Sequence, residues 1–377
     1  MKQTFRLFQT TETDPRLAAK EFYDGVHQPE IELVVFFCSS KYDLDVLGCE
    51  IHRLFAGIQV IGCTSTGEIG PAGYQQSGLA GISFPKEYCK AVIGILDNLQ
   101  QFDIPTGYAF AQSHLQHLEC IAPETSPDNS FALMLIDGLS VREEIVSHTL
   151  QLGLNNIPLV GGSAGDDQRF SQTYVYHDGR FHTDSAVVAI VTTSLPFKLF
   201  RNQHLVSTDK RMVVTEADTA KRIVKEIDGM LAAEAYADAI GVNISDLTPE
   251  LFAANPVVVL IDGQEYVRSI QKMNDDASLT FYCAIDEGLV LRIARCDDMT
   301  ASLTNTITQI HREIGHPQAI LAFDCIHRVI EATHKEITNH IEQLFIDNNT
   351  LGVCTYGEQV NGIHLNQTLI GIAIGEK

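Results

Sequence analysis

Side chains able to bind a metal or to transfer a proton cluster in one stretch near the C-terminus, TLGVCTYGEQVNGIHLNQT (350–368). Cys354 and His364 offer a thiolate and an imidazole to a metal. Tyr356, Glu358 and His364 could also act together as general acids and bases. The stretch begins with an apolar run that predicts a buried strand and continues into a glycine-rich loop. Because loops held at the end of a rigid sheet are the usual place for a binding site, we expect these side chains to lie close to a pocket.

A second group of candidates follows the apolar segment AILAFDC (319–325). His327 and Arg328 come directly after this predicted strand, at the carboxyl end where ligand crevices form in open α/β sheets. His334 shares a helix face with His327 if the helix begins early, but a solvated helix position is the simpler interpretation. Arg328 and Arg268 are candidates to hold a carboxylate or another anion through bidentate hydrogen bonds, with a surface ion pair as the alternative.

The remaining polar motifs favour structural interpretations. Glu68 and Glu358 each follow a glycine in similar loops, which favours a local turn whose carboxylate accepts loop N–H groups. Asp166 and Asp167 are adjacent, so on a strand they would point to opposite faces and would not share an ion. The sequence contains no H-E-x-x-H motif and no G-x-x-x-x-G-K-[ST] motif, so it carries neither of these metal-binding and phosphate-binding signatures.

Three stretches of the chain are similar to one another and predict the elements that position these residues. They cover residues 33–84, 131–191 and 319–375, and each reads as strand, helix, strand, glycine-rich loop and closing strand. The first and third are the most alike, since GCTSTGEIGPAG corresponds to GVCTYGEQVNG. Tyr356 stands in that comparison where the first copy has a small hydroxyl-bearing residue, which favours a functional role for the tyrosine. A repeat of this length points to duplicated subdomains.

The sequence therefore predicts a mixed α/β fold, in which duplicated strand–helix–strand subdomains form sheets covered by helices. Between the second and third copies, MVVTEA and RIVKEID predict two strands that turn at Asp228-Gly229 into a helix over Ala232–Ile240. The stretch from Asp97 to Asn129 contains three prolines, and we expect an irregular connection there with a short helix.

The boundary between two domains is predicted near residue 210, where the second copy gives way to a strand-rich region. Asp14-Pro15 is a favourable helix start, because aspartate caps a helix and proline fits its first position. We therefore predict an N-terminal helical lead at residues 1–30, followed by domains at residues 31–210 and 211–377.

Composition argues against several classes of protein. The 377 residues include 48 acidic and 26 basic side chains, a net charge of -22, which argues against binding to nucleic acid or to an anionic membrane surface. No apolar run approaches the roughly 18 residues of a membrane span and the first residues do not resemble a signal peptide, so we expect a cytoplasmic protein. Nine cysteines without a C-x-x-C pair indicate reduced thiols rather than a zinc ribbon or a redox motif.

The loops GCTSTGEIGPAG and GVCTYGEQVNG, with GGSAGDD between them, resemble those of the FIST sensory family, which has an N-terminal and a C-terminal FIST domain and serves bacterial signal transduction. The resemblance extends from about residue 32 to residue 374. The segments SLTFYCAIDEGLVLRIAR, AILAFDCIHR and TYGEQVNGIHLNQTLIGIAIG are most similar to the nitric-oxide-sensing heme proteins, the NosP-type branch. This chain departs from the family's strand-end motif at His327, where a second arginine is expected.

This resemblance implies heme b bound without a covalent link, and no C-x-x-C-H attachment motif is present. It further implies that the protein senses nitric oxide and regulates a partner histidine kinase or cyclic-di-GMP enzyme, with a homodimer as an option. It puts His364 in the most distinctive motif of the C-terminal domain, so His364 is the first candidate for the axial iron ligand and His327 the second. The other candidate cofactor-binding residues are Arg328, Tyr356, Glu358, Arg268 and Cys354, a packed thiol being the alternative for the last.

Three other functional classes stay open at this point. A sensor of a small anionic metabolite, without heme, would use the same C-terminal pocket. An enzyme would use Glu358, Tyr356 and His364 as acid and base groups, because fold alone does not decide function. A protein-interaction scaffold would instead show exposed apolar patches and no convergent polar pocket.

Overall fold

The chain forms a mixed α/β structure of sheets covered by helices. A computed structural model describes residues 4–261 and 263–376. Within these ranges the strands form three six-stranded sheets and one eight-stranded sheet. No helix in this part of the chain combines the length and the apolar character needed to cross a bilayer. The mixed α/β fold predicted from the sequence is therefore confirmed.

The first of three similar units covers residues 6–85. It begins with a strand and a helix, and it continues through the strand–helix–strand pattern that the sequence predicts. Asp14 caps the first helix by accepting hydrogen bonds from the N–H groups of Arg16 and Leu17. The elements are β1 (Arg6–Thr10), α1 (Pro15–Val26), β2 (Ile31–Ser39), α2 (Leu44–Leu54), β3 (Gln59–Ser65), β4 (Glu68–Gly70), β5 (Gly73–Gln75) and β6 (Leu79–Pro85).

The second unit covers residues 89–193 and has the same order of elements. It also contains a short 3₁₀ turn, Leu99–Gln101, ahead of its first helix. The elements are β7 (Cys89–Leu96), α3 (Ile104–Ile121), β8 (Ser130–Ile136), α4 (Glu143–Gly153), β9 (Leu159–Ser163), β10 (Val175–His177), β11 (Arg180–His182) and β12 (Ala186–Thr193).

The expectation of an irregular connection with a short helix over residues 97–129 was wrong. Most of this stretch forms the long helix α3. The helix has 18 residues. Asp103 caps it by accepting a hydrogen bond from the Thr106 N–H at 2.7 Å, and a proline lies in its first turn. Ala111, Leu115 and Leu118 form a buried face that packs against the sheet of the same unit. This packing stabilises a helix whose interspersed polar residues make its period hard to recognise in the sequence.

The third unit begins with β13 (Phe197–Asn202) and is then interrupted by an inserted region, residues 205–296. The predicted pair of strands and the helix over Ala232–Ile240 are confirmed in this region. Strand β14 spans residue 210, near which we predict the domain boundary. The elements are β14 (Leu205–Asp218), β15 (Ile223–Ile227), β16 (Met230–Leu231), α5 (Ala232–Ile240), α6 (Pro249–Ala254), β17 (Val257–Ile261), β18 (Gln264–Arg268), β19 (Ile270–Met273), β20 (Leu279–Phe281) and β21 (Val290–Cys296).

The rest of the third unit follows the inserted region. Its second helical segment is divided into two short helices by a turn at residues 335–337. The elements are α7 (Met299–Ile314), β22 (Ala319–Cys325), α8 (Ile326–His334), α9 (Thr338–Asp347), β23 (Thr350–Thr355), β24 (Glu358–Val360), β25 (Ile363–Leu365) and β26 (Leu369–Ile374).

The three units share one strand order. In each, the two strands joined by a helix are parallel, and the closing strand pairs antiparallel with the first of them. A leading strand, β1, β7 or β13, pairs antiparallel with the closing strand. The three copies inferred from the sequence are therefore three equivalent units, and each begins one strand and one helix earlier than the sequence pattern indicates.

Each unit also adds a hairpin to the sheet of another unit. The hairpin β4–β5 of unit 1 pairs with β23 of unit 3, β10–β11 of unit 2 pairs with β3 of unit 1, and β24–β25 of unit 3 pairs with β9 of unit 2. The exchange is cyclic, and it brings together the glycine-rich loops that lead into the hairpins. Backbone hydrogen bonds join these loops, from Thr66 N to Cys354 O, from Tyr356 N to Ser163 O and from Gly165 N to Thr64 O.

One apolar core is shared by the three units. It contains Phe37 of β2, Leu133 of β8 and Phe323 of β22, and all three side chains are fully buried. The rings of Phe37 and Phe323 pack edge to face with their centroids 6.2 Å apart. Helices cover the opposite faces, where Phe22 of α1 and Leu150 of α4 pack against their sheets. Burial on both faces explains why these strands read as continuous apolar runs.

Candidate functional site

A cavity of about 600 Å³ lies where units 2 and 3 meet the inserted region. Small-molecule sites typically have volumes of roughly 300–1,000 Å³. Its wall combines loops that follow β8 and β9, strands of the inserted region and the start of α8. The lining includes Val141, Glu143, Gln168, Phe170, Lys221, Arg222, Lys272, Phe281, Tyr282, Ile326, His327, Ile330 and Tyr356.

His327 is the candidate ligand that lines this cavity. Strand β22 ends at Cys325 and α8 begins at the next residue, so His327 lies in the first turn of the helix. The residue is 7% exposed, and burial lowers the pKa of its imidazole to about 4. Its Nδ1 lies 3.4 Å from Nε2 of Gln367, and the edge of its ring meets Tyr282 with the centroids 5.1 Å apart. At neutral pH the wall therefore presents an uncharged imidazole, the form that ligates metals.

Aromatic rings form one side of the cavity. Phe170 stacks on Tyr356 with the ring centroids 4.5 Å apart, and Tyr282 lies next to Phe170 at 6.0 Å. The Tyr356 hydroxyl donates a hydrogen bond to the Asp166 carboxylate. Burial and the Asp166 charge raise the pKa of Tyr356, so its phenol stays protonated and positions the loop rather than acting as a base.

A charged edge closes the opposite side of the cavity. Arg222 Nη2 lies 2.5 Å from the carboxylates of both Glu143 and Glu144. Burial raises the pKa of Glu143 to about 7 against the opposing charge of Arg222. Lys221 and Lys272 also line the cavity. Lys221 is paired with Asp218, its Nζ lying 3.4 Å from Oδ2, and the guanidinium of Arg222 is held by two carboxylates.

His364, the first candidate from the sequence, is not among the described residues that line the cavity. It lies on β25 and is 3% exposed. Its Nδ1 is 2.9 Å from Nε2 of Gln359, and burial lowers the pKa of His364 to about 4. Cys283 and Glu144 lie beside it, each offering a ligand atom within 4.8 Å. Two buried, neutral imidazoles thus occupy different surroundings.

The two candidate arginines also lie outside the described cavity lining. Arg328 follows His327 but is almost fully buried, and its Nε donates a hydrogen bond to Asp324 Oδ1 at 2.7 Å. Arg268 donates from Nη1 to the carbonyl of its neighbour Val267 at 3.2 Å. Neither guanidinium faces the space where a ligand of the 600 Å³ cavity would lie.

Cys354 and Glu358 are buried in the glycine-rich loop of unit 3. Cys354 lines a smaller neighbouring cavity of about 260 Å³, and burial raises the pKa of its thiol well above the ordinary value. The Glu358 carboxyl accepts hydrogen bonds from the hydroxyls of Thr355 at 2.6 Å and Thr368 at 2.7 Å. Burial raises the pKa of Glu358 to about 8, so the folded protein holds a protonated acid there at neutral pH.

The three glycine-rich loops are held by equivalent acidic residues. Glu68 accepts a hydrogen bond from the Gly78 N–H at 3.2 Å, and Glu358 accepts one from the Thr368 N–H at the same sequence separation and distance. Asp166 takes the corresponding place in unit 2 and accepts from three N–H groups of its own loop. These carboxyl groups fix loop conformation, which leaves His327, Tyr356 and the charged edge to contact a ligand.

Sequence reasoning did not identify Phe170, Tyr282 or Arg222 as site residues. Phe170 follows the Asp166-Asp167 pair, and its positive φ of 50° belongs to a run of such values in this loop. Tyr282 and Arg222 belong to the inserted region, which has no counterpart in the repeat. The basic pair Lys221-Arg222 stands out in an acidic chain and could have suggested a functional role. Its contacts could not be predicted, since they depend on tertiary structure.

Comparison with known proteins assigns the family. The FIST N domain matches residues 32–230 and the FIST C domain matches residues 232–361. An uncharacterised protein of Methanocaldococcus jannaschii is 21% identical over 369 residues, covering 87% of this chain and 70% of that protein. The crystal structure of a cyanuric acid hydrolase from A. caulinodans aligns over 98% of this chain and 99% of that chain, with 8% identity and a TM-score of 0.36. Because the FIST N match alone spans more than half of the chain, the protein belongs to the FIST family and carries both a FIST N and a FIST C domain.

Proposed function

We propose that this protein is a sensor that binds heme b without a covalent link in the 600 Å³ cavity, with His327 as the axial ligand, and that it reports nitric oxide to a partner histidine kinase or cyclic-di-GMP enzyme. FIST domains generally serve small-ligand sensing in signalling. The observation that carries the proposal is the buried, neutral imidazole of His327 on a wall of aromatic and aliphatic side chains. For this role we favour His327 over His364, because His327 lines the cavity.

The residues around the cavity fit heme. A neutral histidine is a standard axial ligand, and an apolar surrounding limits the access of water to the iron. Phe170, Phe281 and Tyr282 offer ring surfaces to a flat macrocycle. Lys221 and Lys272 lie where they could pair with its two carboxylates. When bound, heme would supply an iron centre able to take up nitric oxide.

Gln367 orients the His327 ring. Its Nε2 lies 3.4 Å from Nδ1 of His327, and its Oε1 has no hydrogen-bond partner among the described residues. Turning the amide by half a turn places Oε1 opposite Nδ1 and gives up the hydrogen bond that Nε2 donates to the Ala253 carbonyl at 3.3 Å. The ring then carries its proton on Nδ1 and keeps the Nε2 lone pair for a metal, which is the usual arrangement behind a ligating histidine.

Helix α8 connects the cavity to the rest of the molecule through Arg328. Its guanidinium contacts Asp324, and the Tyr74 hydroxyl of unit 1 donates to the same carboxylate at 2.6 Å. Its Nη1 lies 3.0 Å from Nδ1 of His204, just before the inserted region. A ligand that shifts His327 would disturb this buried ion pair, and the disturbance would reach unit 1 and the inserted region. We propose that this change alters the surface that the partner protein recognises.

A small anionic metabolite is the second candidate ligand. The favouring observation is that Lys272 and Lys221 both line the cavity, although Lys221 already contacts Asp218 at 3.4 Å, whereas the charge of Arg222 is balanced by Glu143 and Glu144. Such a ligand would pair with the two lysines and would not need His327. Such a ligand would raise the thermal unfolding midpoint of the natural chain, and it would leave the midpoint of Lys272→Ala unchanged.

Titration of the purified protein with hemin, followed by reduction and exposure to nitric oxide, tests the heme proposal. We expect a Soret band that saturates at one hemin per chain and shifts with nitric oxide. His327→Ala should weaken the band and change its position, whereas His334→Ala, an exposed histidine on the same helix, should leave it unchanged. Absence of a saturable band in the natural chain would contradict the proposal, and loss of the band in His364→Ala alone would move the axial ligand to β25.

A further inference from the structure

Glu144, Cys283 and His364 form a cluster of three potential metal ligands outside the cavity lining. One ligand atom from each lies within 4.8 Å of the other two. The residues come from α4, from the segment after β20 and from β25, so the cluster joins unit 2, the inserted region and unit 3. Cys283 and His364 are buried, whereas the Glu144 side chain is 28% exposed and leaves a path for an ion to enter.

We propose that this cluster binds one Zn²⁺ ion. Thiolate, imidazole and carboxylate are the ligands that zinc uses in proteins, and three protein ligands leave the fourth tetrahedral position to water or a small ligand. Metal–ligand distances of about 2.0–2.3 Å put tetrahedral ligands roughly 3.3–3.8 Å apart, so movements of about 1 Å close the cluster on the ion. None of the three ligands is among the residues that line the His327 cavity, although Glu144 contacts Arg222 of its charged edge, and zinc binding does not require heme.

The surroundings of His364 match those of a zinc ligand. Its Nδ1 lies 2.9 Å from Nε2 of Gln359, and the ring also contacts the Tyr282 backbone, so metal binding at Nε2 replaces that contact. Gln359 Oε1 has no hydrogen-bond partner within the described part of the chain, although it is buried. Turning the Gln359 amide places this oxygen where it accepts the Nδ1 proton, and the lone pair then lies on Nε2. A second group that fixes the tautomer in this way is the usual companion of a ligating histidine.

Arg222 and Arg268 place positive charge near the cluster, so a divalent ion requires two anionic ligands there. When Sγ of Cys283 binds the metal, the thiol loses its proton to solvent and with it the hydrogen bond that it donates to Asn366 Oδ1 at 2.7 Å. The thiolate and the Glu144 carboxylate then together balance the two positive charges. Glu144 now accepts hydrogen bonds from Ala284 N at 2.7 Å and from Arg222 at 2.5 Å. When Glu144 turns to the ion, Arg222 keeps its contact with Glu143 at 2.5 Å. No charged group is left buried without a partner by the change.

A second cluster with the same ligand types, His204, Cys296 and Glu331, does not fit a metal. Both ring nitrogens of His204 are engaged, Nδ1 with Arg328 at 3.0 Å and Nε2 with Glu331 at 2.8 Å. Lys335 also contacts Glu331 at 2.7 Å. Arg328 and Lys335 therefore already supply positive charge to this second cluster. Its cysteine, Cys296, provides the matched control for Cys283 in the metal-binding test.

Cobalt(II) titration of the metal-free, full-length protein tests the proposal, because Co²⁺ occupies zinc sites and absorbs in the near ultraviolet when a thiolate binds it. We expect one Co²⁺ per chain, displaced by Zn²⁺, with a thiolate band that is lost in Cys283→Ala and retained in Cys296→Ala. The natural protein should also unfold at a higher temperature in the presence of excess Zn²⁺ than in chelator.

A second variant keeps the test decisive if Cys283→Ala fails to fold. Glu144→Gln alters a partly exposed side chain and should weaken Co²⁺ binding by at least about tenfold. The proposal is overturned if the natural chain shows no stoichiometric thiolate band, if the band survives Cys283→Ala or disappears in Cys296→Ala, or if Glu144→Gln binds Co²⁺ as tightly as the natural chain. Neither set of outcomes depends on the hemin titration, so the two proposals can fail separately.

Discussion

Replacing Glu358 by glutamine should make the protein's stability less dependent on pH. The carboxyl is fully buried, and burial raises the pKa of Glu358 from 4.5 to about 8. Between these values the folded state keeps the proton, whereas the unfolded chain releases it. Because the folded state binds more protons than the unfolded state, the free energy of unfolding falls as the pH rises through this window. The stability linked to this group is therefore fully present below pH 4.5 and is lost by about pH 8.

The size of the effect follows from the width of that window. One proton contributes about 1.4 kcal/mol per pH unit, so the interval from 4.5 to about 8 corresponds to about 5 kcal/mol for Glu358. The amide of Glu358→Gln does not titrate, and it supplies a donor and an acceptor in place of the protonated acid. The free energy of unfolding of the variant minus that of the natural chain should therefore increase by about 1.4 kcal/mol for each pH unit within the window.

Urea denaturation followed by far-UV circular dichroism at several pH values between about 5 and 8 measures this difference. Glu336→Gln, at an exposed position, is the matched control and should follow the natural chain at every pH. Parallel pH dependence of the natural chain and Glu358→Gln over this range would refute the reasoning that the buried carboxyl is protonated in the folded state.

The remaining predictions concern packing and the charged edge, and urea denaturation measures each. Tyr356→Phe removes the hydrogen bond to Asp166 and should lower the free energy of unfolding by about 1.5–3 kcal/mol. Arg222→Met removes the charge that opposes the burial-driven rise in the pKa of Glu143, so the carboxyl takes up a proton at neutral pH, and the lost hydrogen bonds should cost about 1.5–3 kcal/mol. Phe323→Ala should cost about 3–5 kcal/mol, because it opens the core shared by the units. Changes below about 0.5 kcal/mol would contradict each assignment.

Local pattern was sufficient to predict the repeated units, because each apolar strand and its following helix carry their signal within a dozen residues. It was not sufficient for the cyclic exchange of hairpins. Strand β24 pairs with β9, about two hundred residues earlier, and both strands are short and would fit many partners. Helix α3 was missed for a different reason, since Asp103 and the following proline are readable start signals but the helix face is narrow.

The candidate site shows the same limit. His327 follows an apolar run and His364 follows a glycine-rich loop, and sequence analysis ranked the two in the order opposite to their access to the cavity. The difference arises from the inserted region, whose strands cover one side of β25 and form the wall facing α8. Arg222 likewise acquires its partners Glu143 and Glu144 only when this region packs on unit 2.

Rescue of the His327→Ala variant by imidazole is the most direct test of the central claim. Removing the side chain leaves space on the cavity wall where free imidazole can bind in its place. The account predicts that His327→Ala with hemin has an altered Soret band, and that added imidazole restores the spectrum and nitric oxide response of the natural chain. A natural spectrum in His327→Ala without imidazole, or no stoichiometric hemin binding by the natural chain, would contradict it.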